Sequence, residues 1–188
     1  AMYFGRFRDA WTKHNLDLHH GVGIDPHSYA WRELYYRLAS TGPMGFDMDY
    51  SQYDGRLQPE LLAAAGEIVS LALDRLSRST MTKRERRDNL TVRRVLFDEI
   101  IHTLQVGYKG VVCTHRGNPS GSYMTTVTNC ICNFLMLWNA YYSITGNSDL
   151  ESFEEDMTVF TFGDDVINTV RPGCYEQLNL HTFRTELT

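Results

Sequence analysis

The longest segment without a charged side chain, residues 117–148, limits what this chain can fold into. Its length would allow one helix to cross a bilayer. Polar residues interrupt it repeatedly, among them Asn118, Asn129, Asn133 and Asn139. Because amide side chains are costly to place in an apolar environment without partners, we predict a long helix over 122–144 that is buried in a protein core and not in a membrane.

Apolar patterns elsewhere in the chain predict a mixed α+β fold. A short strand is expected at 44–50, where apolar residues alternate with aspartates. Two apolar runs, 157–162 and 166–170, flank Gly163-Asp164-Asp165, which is typical of a β-hairpin. Further helices are predicted from Pro59, over 95–104 and over 175–187, with helical pieces within 1–22 and a strand with a turn at 106–114. Another helix is predicted from Asp25-Pro26, with apolar positions at helical spacing at Tyr29, Leu34, Tyr35 and Leu38. Helices combined with an antiparallel hairpin indicate the α+β class, with an antiparallel sheet flanked by helices.

Charge is unevenly distributed along the chain. There are 18 Lys and Arg against 23 Asp and Glu, a formal net charge of −5, yet residues 74–94 hold eight basic and three acidic side chains. A basic segment of this kind can contact a phosphate backbone. The alternative is a solvated loop between two helices. The acidic balance of the whole chain argues against tight binding of nucleic acid by this chain unaided.

The cysteines give no sign of a disulfide framework or a zinc site. They form no C-x-x-C pair and no Cys/His pattern. We therefore predict reduced, buried, small apolar residues of a cytosolic protein at all four positions: Cys113, Cys130, Cys132 and Cys174.

Asp49 and Asp54 form the first candidate motif. Asp49 stands at the end of the predicted strand 44–50, where rigid backbone can hold a carboxylate as a metal ligand. Asp54 follows after the chain has turned and could face the same pocket. The alternative is an exposed Asp49, with Asp54 closing a turn before Pro59.

Asp164 and Asp165 form the second candidate motif, at the turn of the predicted hairpin. Adjacent carboxylates repel each other, and a divalent cation removes this repulsion. Mg²⁺ in particular selects hard oxygen ligands. The alternative is an Asp-rich turn that is exposed to water.

The third candidate motif is a loop rich in glycine, proline and serine, residues 116–121, which leads into the charge-free helix. Such a loop offers backbone N–H groups and hydroxyls to a ligand. Thr125, Asn129 and Asn133 then recur every fourth residue and share one helical face. A polar ridge of this kind needs hydrogen-bond partners, which are either a ligand or backbone groups of the core.

Taken together and in this order, the three motifs resemble the palm of RNA-dependent RNA polymerases from positive-strand RNA viruses of the picorna-like kind. Asp49-x4-Asp54 is similar to motif A of that family, Pro119-Ser120-Gly121-x3-Thr125-x3-Asn129 to motif B, and Phe162-Gly163-Asp164-Asp165 to motif C. Phe162 stands where many relatives have tyrosine. Residues 21–26 also resemble the segment that leads into motif A. The resemblance covers nearly the whole chain.

The resemblance implies nucleotidyl transfer by a two-metal mechanism. Asp49 and Asp164 would bind two Mg²⁺ ions, for which Mn²⁺ could substitute, with Asp165 and the backbone carbonyl of Tyr50 assisting. One ion would lower the pKa of the primer 3′-OH. The other would stabilise charge on the triphosphate and on the departing pyrophosphate.

The resemblance also implies a pocket for the ribose 2′-OH, the group that separates RNA from DNA precursors. Asp54, Ser120 and Asn129 would form the hydrogen-bond network around this hydroxyl. Thr125 would support that network. Gly121 would allow the backbone to flex near the template.

As a whole, the resemblance assigns residues 1–188 to the palm and adjoining fingers segments of an incomplete right-hand polymerase. The N-terminal fingers and the thumb, with the triphosphate-binding and general-acid residues, would lie outside this chain, which would be inactive alone. The implied partners are an RNA template and primer, NTPs, the remaining fingers and thumb, and other viral replication proteins. The implied location is the host cytoplasm, at membrane-associated replication complexes.

Three other interpretations stay open. A reverse-transcriptase-like palm shares the paired aspartates, but would place a bulky aromatic residue at the ribose pocket, where this sequence has Asp54 and Asn129. A haloacid-dehalogenase-like phosphatase has a D-x-D motif similar to residues 46–49, but this chain lacks the Gly-Thr that follows it and a Rossmann-like alternation. A catalytically inert RNA-binding module would retain the palm fold with a dead site.

Overall fold

Two units divide the chain in the computed structural model, which describes residues 3–187. Unit 1 comprises the N-terminal residues through Trp11 together with 51–132, and unit 2 comprises 12–50 and the residues from Asn133 onward. The helices are α1 (Gly5–Lys13), α2 (Tyr29–Thr41), α3 (Tyr53–Arg56), α4 (Pro59–Leu76), α5 (Lys83–Ile101), α6 (Thr125–Thr145), α7 (Leu150–Asp156) and α8 (Leu180–Glu186), with a 3₁₀ helix at Leu16–Leu18. The strands are β1 (Met44–Met48), β2 (Leu104–Gly107), β3 (Gly110–Cys113), β4 (Met157–Phe162) and β5 (Asp165–Val170). The mixture of helices and antiparallel strands confirms the predicted α+β class.

Unit 2 contains a three-stranded antiparallel sheet in the order β1-β5-β4. Met48, the last residue of β1, is paired with Val166 near the start of β5. The turn between β4 and β5 consists of Gly163 and Asp164, and Gly163 has a positive φ of 67°. A two-residue turn with glycine at its first position is typical of a type II′ hairpin. The end of β1 and this turn therefore lie at the same end of the sheet.

Within unit 2, one face of this sheet packs on the main core, and the other face is covered in part, since Ile167 and Phe162 remain exposed there. On one face, Val159 and Val166 belong to the main core. Helices α6, α7 and α8 contribute to this core through Leu137, Tyr141, Phe153 and Phe183. On the other face, Phe160 packs with Leu34 and Leu38 of α2. Because neighbouring residues of β4 point to opposite faces, and each face packs on apolar residues at this strand, Val159 and Phe160 are both buried although they are adjacent in sequence.

Helix α2 differs from its prediction in its first residue and in its exposed positions. It begins at Tyr29 and not at Asp25-Pro26, because residues 25–28 form a turn in which the Asp25 carboxylate accepts a hydrogen bond from the His27 amide at 2.9 Å. Four apolar positions at helical spacing were predicted in this helix. Leu34 and Leu38 are buried, whereas Tyr29 and Tyr35 are exposed.

The C-terminal helix is also shorter than predicted. Helix α8 begins at Leu180 and not at Tyr175, because the Asn179 side chain accepts hydrogen bonds from the backbone amides of His181 and Thr182 and caps the helix at that point. The short helices α3 and α7 were not predicted from the sequence. Asp149 caps α7 in the same way, by accepting from the Ser152 amide.

In unit 1, α4 and α5 pack directly on each other. Pro59 occupies the first turn of α4, as predicted. Four apolar residues at helical spacing along α4 are buried: Leu62, Ala65, Val69 and Leu73. Gly66 allows close contact, since a Cβ atom there would lie 2.7 Å from the Phe97 ring of α5.

The prediction of a loop at the basic segment 74–94 is wrong for its second half, and α5 starts well before the predicted residue 95. Helix α5 begins at Lys83, after a capping box in which Thr82 and Glu85 exchange side-chain and backbone hydrogen bonds. Ion pairs connect α5 to α4, with Arg94 2.6 Å from Glu67 and Arg86 3.2 Å from Asp74. Part of the positive charge of the basic segment is therefore neutralised within unit 1.

Helix α6 confirms the long helix predicted over 122–144, with its first residue at Thr125. Among residues 3–187, no helix has both the length and the apolar character that spanning a membrane requires. All four cysteines are free. Cys130 and Cys132 are buried, as predicted, and burial raises the pKa of the Cys132 thiol to about 12. The predicted burial is wrong for Cys113, which lies on the exposed hairpin β2–β3, and Cys174 is half-buried.

Candidate active site

The aspartates predicted to bind metal all belong to unit 2 and lie at one end of its sheet. Asp49 directly follows β1, Asp164 occupies the β4–β5 turn, and Asp165 begins β5. Because Met48 pairs with Val166, the next residues along the two strands, Asp49 and Asp165, continue the same register. The sequence predicted this placement from a strand end and a hairpin.

The carboxylates of Asp49, Asp164 and Asp165 make no hydrogen bond or ion pair with other residues in the range 3–187. Asp49 and Asp165 are exposed, and Asp164 is half-buried. Carboxylate oxygens are hard ligands, so this set of donors fits Mg²⁺ or Mn²⁺ in its chemistry. No group of three or more His, Cys, Asp or Glu side chains among the described residues is arranged to hold a metal ion. The three carboxylates thus share one end of the sheet without forming a preassembled cluster.

Asn133 of α6 forms hydrogen bonds with the backbone and a side chain at this end of the sheet. Its side chain is fully buried, and its Nδ2 atom donates to the backbone carbonyls of Gly163 at 3.2 Å and Asp164 at 3.0 Å. Its Oδ1 atom accepts a hydrogen bond from the Tyr50 hydroxyl at 3.1 Å. Burial raises the pKa of Tyr50, so this hydroxyl stays protonated and remains a donor. A single amide therefore connects the Asp164 turn to the residue that follows Asp49.

The residues predicted to contact the ribose belong to unit 1. The Asn129 side chain, only 4% exposed, donates from Nδ2 to the Asp54 carboxylate at 2.6 Å. The Tyr53 hydroxyl donates to the backbone carbonyl of Asn129 at 3.0 Å. The structure thus brings together Asp54 and Asn129, which the sequence predicted as partners although 75 positions separate them.

The loop before α6 approaches the Asp54 segment closely. The amide of Asn118 donates to the Asp54 carbonyl at 2.7 Å, and the amide of Gly117 donates to the Leu57 carbonyl at 2.9 Å. Gly117 has a φ of +83°, and a Cβ atom at this position would lie 2.5 Å from the Asp54 carbonyl oxygen. Only glycine fits here, because both the backbone conformation and the short contact exclude a side chain.

The remaining predicted residues of motif B have different environments. The Thr125 hydroxyl donates to the carbonyls of Pro119 at 2.8 Å and Ser122 at 3.0 Å, and so joins the loop to the first turn of α6. Gly121 has a φ of +93° with open space around its Cβ position. Ser120 is exposed, and its hydroxyl makes no hydrogen bond within residues 3–187. The structure does not bring Ser120 into the Asp54–Asn129 network.

Two residues of these sites, Asn118 and Asn133, are absent from the predicted set. Asn133 had a usable signal, because it follows Thr125 and Asn129 at helical spacing. Asn118 had no such signal. Its role depends on how the loop folds back on Asp54, which no local pattern encodes.

Comparison with known proteins identifies the family. The viral RNA-dependent RNA polymerase family matches the chain over residues 1–188. This chain belongs to that family. The predicted resemblance, with its picorna-like character, is confirmed, because the similar proteins are polyproteins of such viruses.

The chain is 32% identical to the replication polyprotein of Nora virus over 184 residues, which are 98% of the chain and 8% of that polyprotein. It is 30% identical to the RNA1 polyprotein of Arabis mosaic virus over 149 residues, 79% of the chain and 6% of the relative. It is 28% identical to the genome polyprotein of deformed wing virus over 183 residues, 96% of the chain and 6% of the relative. The chain therefore spans less than a tenth of the length of these curated relatives.

Proposed function

We propose that this chain carries the catalytic centre of a polymerase that performs template-directed RNA synthesis during replication and transcription of a viral RNA genome. The reaction is transfer of a nucleotidyl group from an NTP to an RNA 3′-OH. One observation carries the proposal: Asp49, Asp164 and Asp165 lie at the same end of one sheet, and their carboxylates have no partner among residues 3–187. Three unpartnered carboxylates in a member of this family are suited to binding divalent cations.

In this proposal, Asp49 and Asp164 bind two Mg²⁺ ions, or Mn²⁺ in their place, with Asp165 and the carbonyl of Tyr50 assisting. Bound metal supplies activation of the attacking hydroxyl and stabilisation of charge on the triphosphate. The protein contributes the placement of the ligands. Asn133 fixes the turn that carries Asp164, so this carboxylate needs little reorganisation when a cation binds.

We assign selection of the sugar to Asp54 and Asn129. Their hydrogen bond at 2.6 Å fixes both side chains in unit 1. A pair that can both accept from and donate to a hydroxyl favours a ribonucleotide over its deoxy analogue. In this assignment Thr125 supports the pair, while Ser120 and Gly121, which lie on the exposed loop before α6, bind the substrate.

We further assign the chain to the palm and adjoining fingers segments of a right-hand polymerase, with other fingers and the thumb as partners. RNA template, primer, NTPs and other viral replication proteins complete the proposed set of partners. The proposed location is the host cytoplasm at membrane-associated replication complexes. The relatives' names as replication and genome polyproteins support the proposal that other viral replication proteins are partners.

The test is primer extension by the viral polymerase that contains this chain, with Mg²⁺ and an RNA template. Asp164→Asn removes a proposed metal ligand at constant shape and is expected to lower incorporation by about a hundredfold or more, the size seen when one preorganised electrostatic group is removed. Asp47→Asn, an exposed aspartate in β1, is the matched control and is expected to remain within about twofold of the unmodified enzyme. Full activity of Asp164→Asn would refute the proposal.

The same assay includes residues 1–188 by themselves, which we expect to be inactive. The reaction depends on positioning the triphosphate by positive charge, and the chain has a net charge of −5. Incorporation by this chain alone that disappears in Asp164→Asn would contradict this expectation. Offering dNTPs beside NTPs distinguishes the polymerase from a reverse-transcriptase-like enzyme. RNA binding without incorporation by the whole viral polymerase would instead favour an inert module.

A further inference from the structure

We propose that Asn118 is a positioning residue for sugar selection, because it sets the amide orientation of Asn129. This inference rests on the proposed function and adds a specificity determinant outside the predicted site. It places the determinant in the loop before α6, at a residue that itself need not contact the substrate.

The side-chain contacts of Asn118 carry the first step. Asn118 is 2% exposed, and its Nδ2 atom donates to Asn129 Oδ1 at 2.7 Å and to the Thr125 carbonyl at 3.0 Å. Asn129 donates in turn from Nδ2 to Asp54 Oδ1 at 2.6 Å. An ionised carboxylate only accepts hydrogen bonds, so Asn129 must present its NH₂ group to Asp54. Its oxygen then requires a donor on the other side, and Asn118 is that donor.

The backbone contacts carry the second step. The amide of Asn118 also donates to the Asp54 carbonyl at 2.7 Å. The preceding Gly117 permits this contact, because any Cβ atom there would lie 2.5 Å from the same carbonyl oxygen. Asn118 therefore contacts both members of the Asp54–Asn129 pair. Its backbone amide binds the main chain of Asp54, and its side chain binds the side chain of Asn129.

The chemistry of the Asn118 amide carries the third step. Both of its N–H groups are used, whereas its Oδ1 atom is buried and has no hydrogen-bond partner among residues 3–187. A buried acceptor without a partner is unfavourable and calls for an explanation. The explanation here is that this position requires the NH₂ group, which a smaller or apolar residue would not supply.

The consequence is a pocket with a defined polarity. With Oδ1 of Asn129 occupied, one N–H of Asn129 and the second carboxylate oxygen of Asp54 remain for a ligand. A 2′-hydroxyl can accept from the first and donate to the second, and a 2′-deoxy sugar can do neither. If Asn129 turned its amide over, its oxygen would face the Asp54 carboxylate and both interactions would be lost.

The experiment measures kcat/KM for ATP and for dATP with the viral polymerase that contains this chain. Asn118→Asp keeps the shape but removes the donor, and is expected to reduce the ratio of the two values by about tenfold or more, mainly through ATP. Thr128→Val is the control. Thr128 precedes Asn129 on α6, but its buried hydroxyl has no hydrogen-bond partner among residues 3–187 and so does not orient the pair, and the ratio is expected to be unchanged in this variant. The ratio is the informative readout, because general damage to the fold lowers both values together.

Asn129→Ala separates the two proposals. If Asn129→Ala reduces the ratio and Asn118→Asp does not, the role of Asn118 is wrong and the sugar pocket stands. If neither variant changes the ratio, the assigned pocket itself is wrong.

Should Asn118→Asp fail to fold, Gly117→Ala decides, with Gly110→Ala as its control. Both glycines have positive φ, but only Gly117 would clash with Asp54, so only Gly117→Ala is expected to reduce the ratio. An unchanged ratio in Gly117→Ala would overturn the inference.

Discussion

Asp156 and Asp164 lie at opposite ends of strand β4, and their carboxylates have opposite environments. Asp156 accepts a hydrogen bond from the Tyr141 hydroxyl at 2.8 Å and forms an ion pair with Arg171 at 2.5 Å. The Cys174 thiol also donates to the Asp156 carboxylate, at 3.6 Å. The Asp164 carboxylate has no partner among residues 3–187, although its backbone carbonyl is held by Asn133. One end of the strand uses its carboxylate to stabilise the fold. The other end holds the backbone and leaves the carboxylate available.

This difference gives a physical criterion for choosing among aspartates in a single sheet. A carboxylate whose lone pairs are occupied by donors of the fold is structural, since a cation would have to displace those donors. A carboxylate on a firmly held backbone with unoccupied oxygens can bind a cation without losing other contacts. Asp156 meets the first description, and Asp164 meets the second.

The largest expected effect on stability is at the end that carries Asp164. Asn133→Ala removes a fully buried amide with three hydrogen bonds and is expected to lower the free energy of unfolding of the chain by about 2–4 kcal/mol. Asn139→Ala, an exposed position on the same helix, is the matched control and should stay within about 0.5 kcal/mol. Urea denaturation measures both. Equal effects would mean that Asn133 does not hold this end of the sheet.

At the opposite end, Asp156→Ala is expected to lower the free energy of unfolding by about 2–3 kcal/mol, because the buried Tyr141 hydroxyl loses its acceptor. Arg171 contributes less, since its side chain is 52% exposed and solvent screens the ion pair. Asp165→Asn breaks no side-chain hydrogen bond or ion pair among residues 3–187 and should change stability by less than about 0.5 kcal/mol. A destabilisation by Asp165→Asn as large as that by Asp156→Ala would remove the contrast between the two ends.

A further effect appears only at high pH. Burial, together with the hydrogen bond to Asp156, raises the pKa of Tyr141 to about 12. Because the unfolded chain loses this proton at pH ~10, the stability from Tyr141 is complete below pH ~10 and is lost as the pH rises towards 12, with a slope of about 1.4 kcal/mol per pH unit. Unfolding measured between pH 9 and 12 should therefore be less pH-dependent in Tyr141→Phe than in the unmodified chain. Identical slopes would contradict the prediction. Tyr50, also buried, contributes equally to both proteins and cancels in the difference.

The sequence predicted features that depend on local patterns. The β4–β5 hairpin, the strand before Asp49 and the long helix α6 follow from turn residues and apolar periodicity, and the structure has them near the predicted residues. The start of α5 was also encoded locally, by Thr82 and Glu85, but the charge of the segment concealed this signal.

Other features depend on contacts that no local pattern specifies. Asn118 acquires its role from the carbonyl of Asp54, and the two residues are far apart in sequence. The difference between Asp156 and Asp164 depends on Tyr141 and Arg171, because either aspartate taken alone is simply an acidic residue beside an apolar run. Tertiary contacts decide which polar residues are available to a ligand, so the sequence alone predicts the candidates and not their environment.

The strand order β1-β5-β4 also has a consequence for how the protein folds during synthesis. The hairpin β4–β5 closes through a two-residue turn, so it can form within microseconds once its residues are available. Strand β1 must wait, because its partner β5 is translated only after the whole of unit 1 has been made. Pairing strands so distant in the chain is slow, since a long loop must close first. Asp49 thus joins Asp164 and Asp165 only in a late step, and a nascent chain that stops before Val166 has no partner strand for β1 and cannot assemble this end of the sheet.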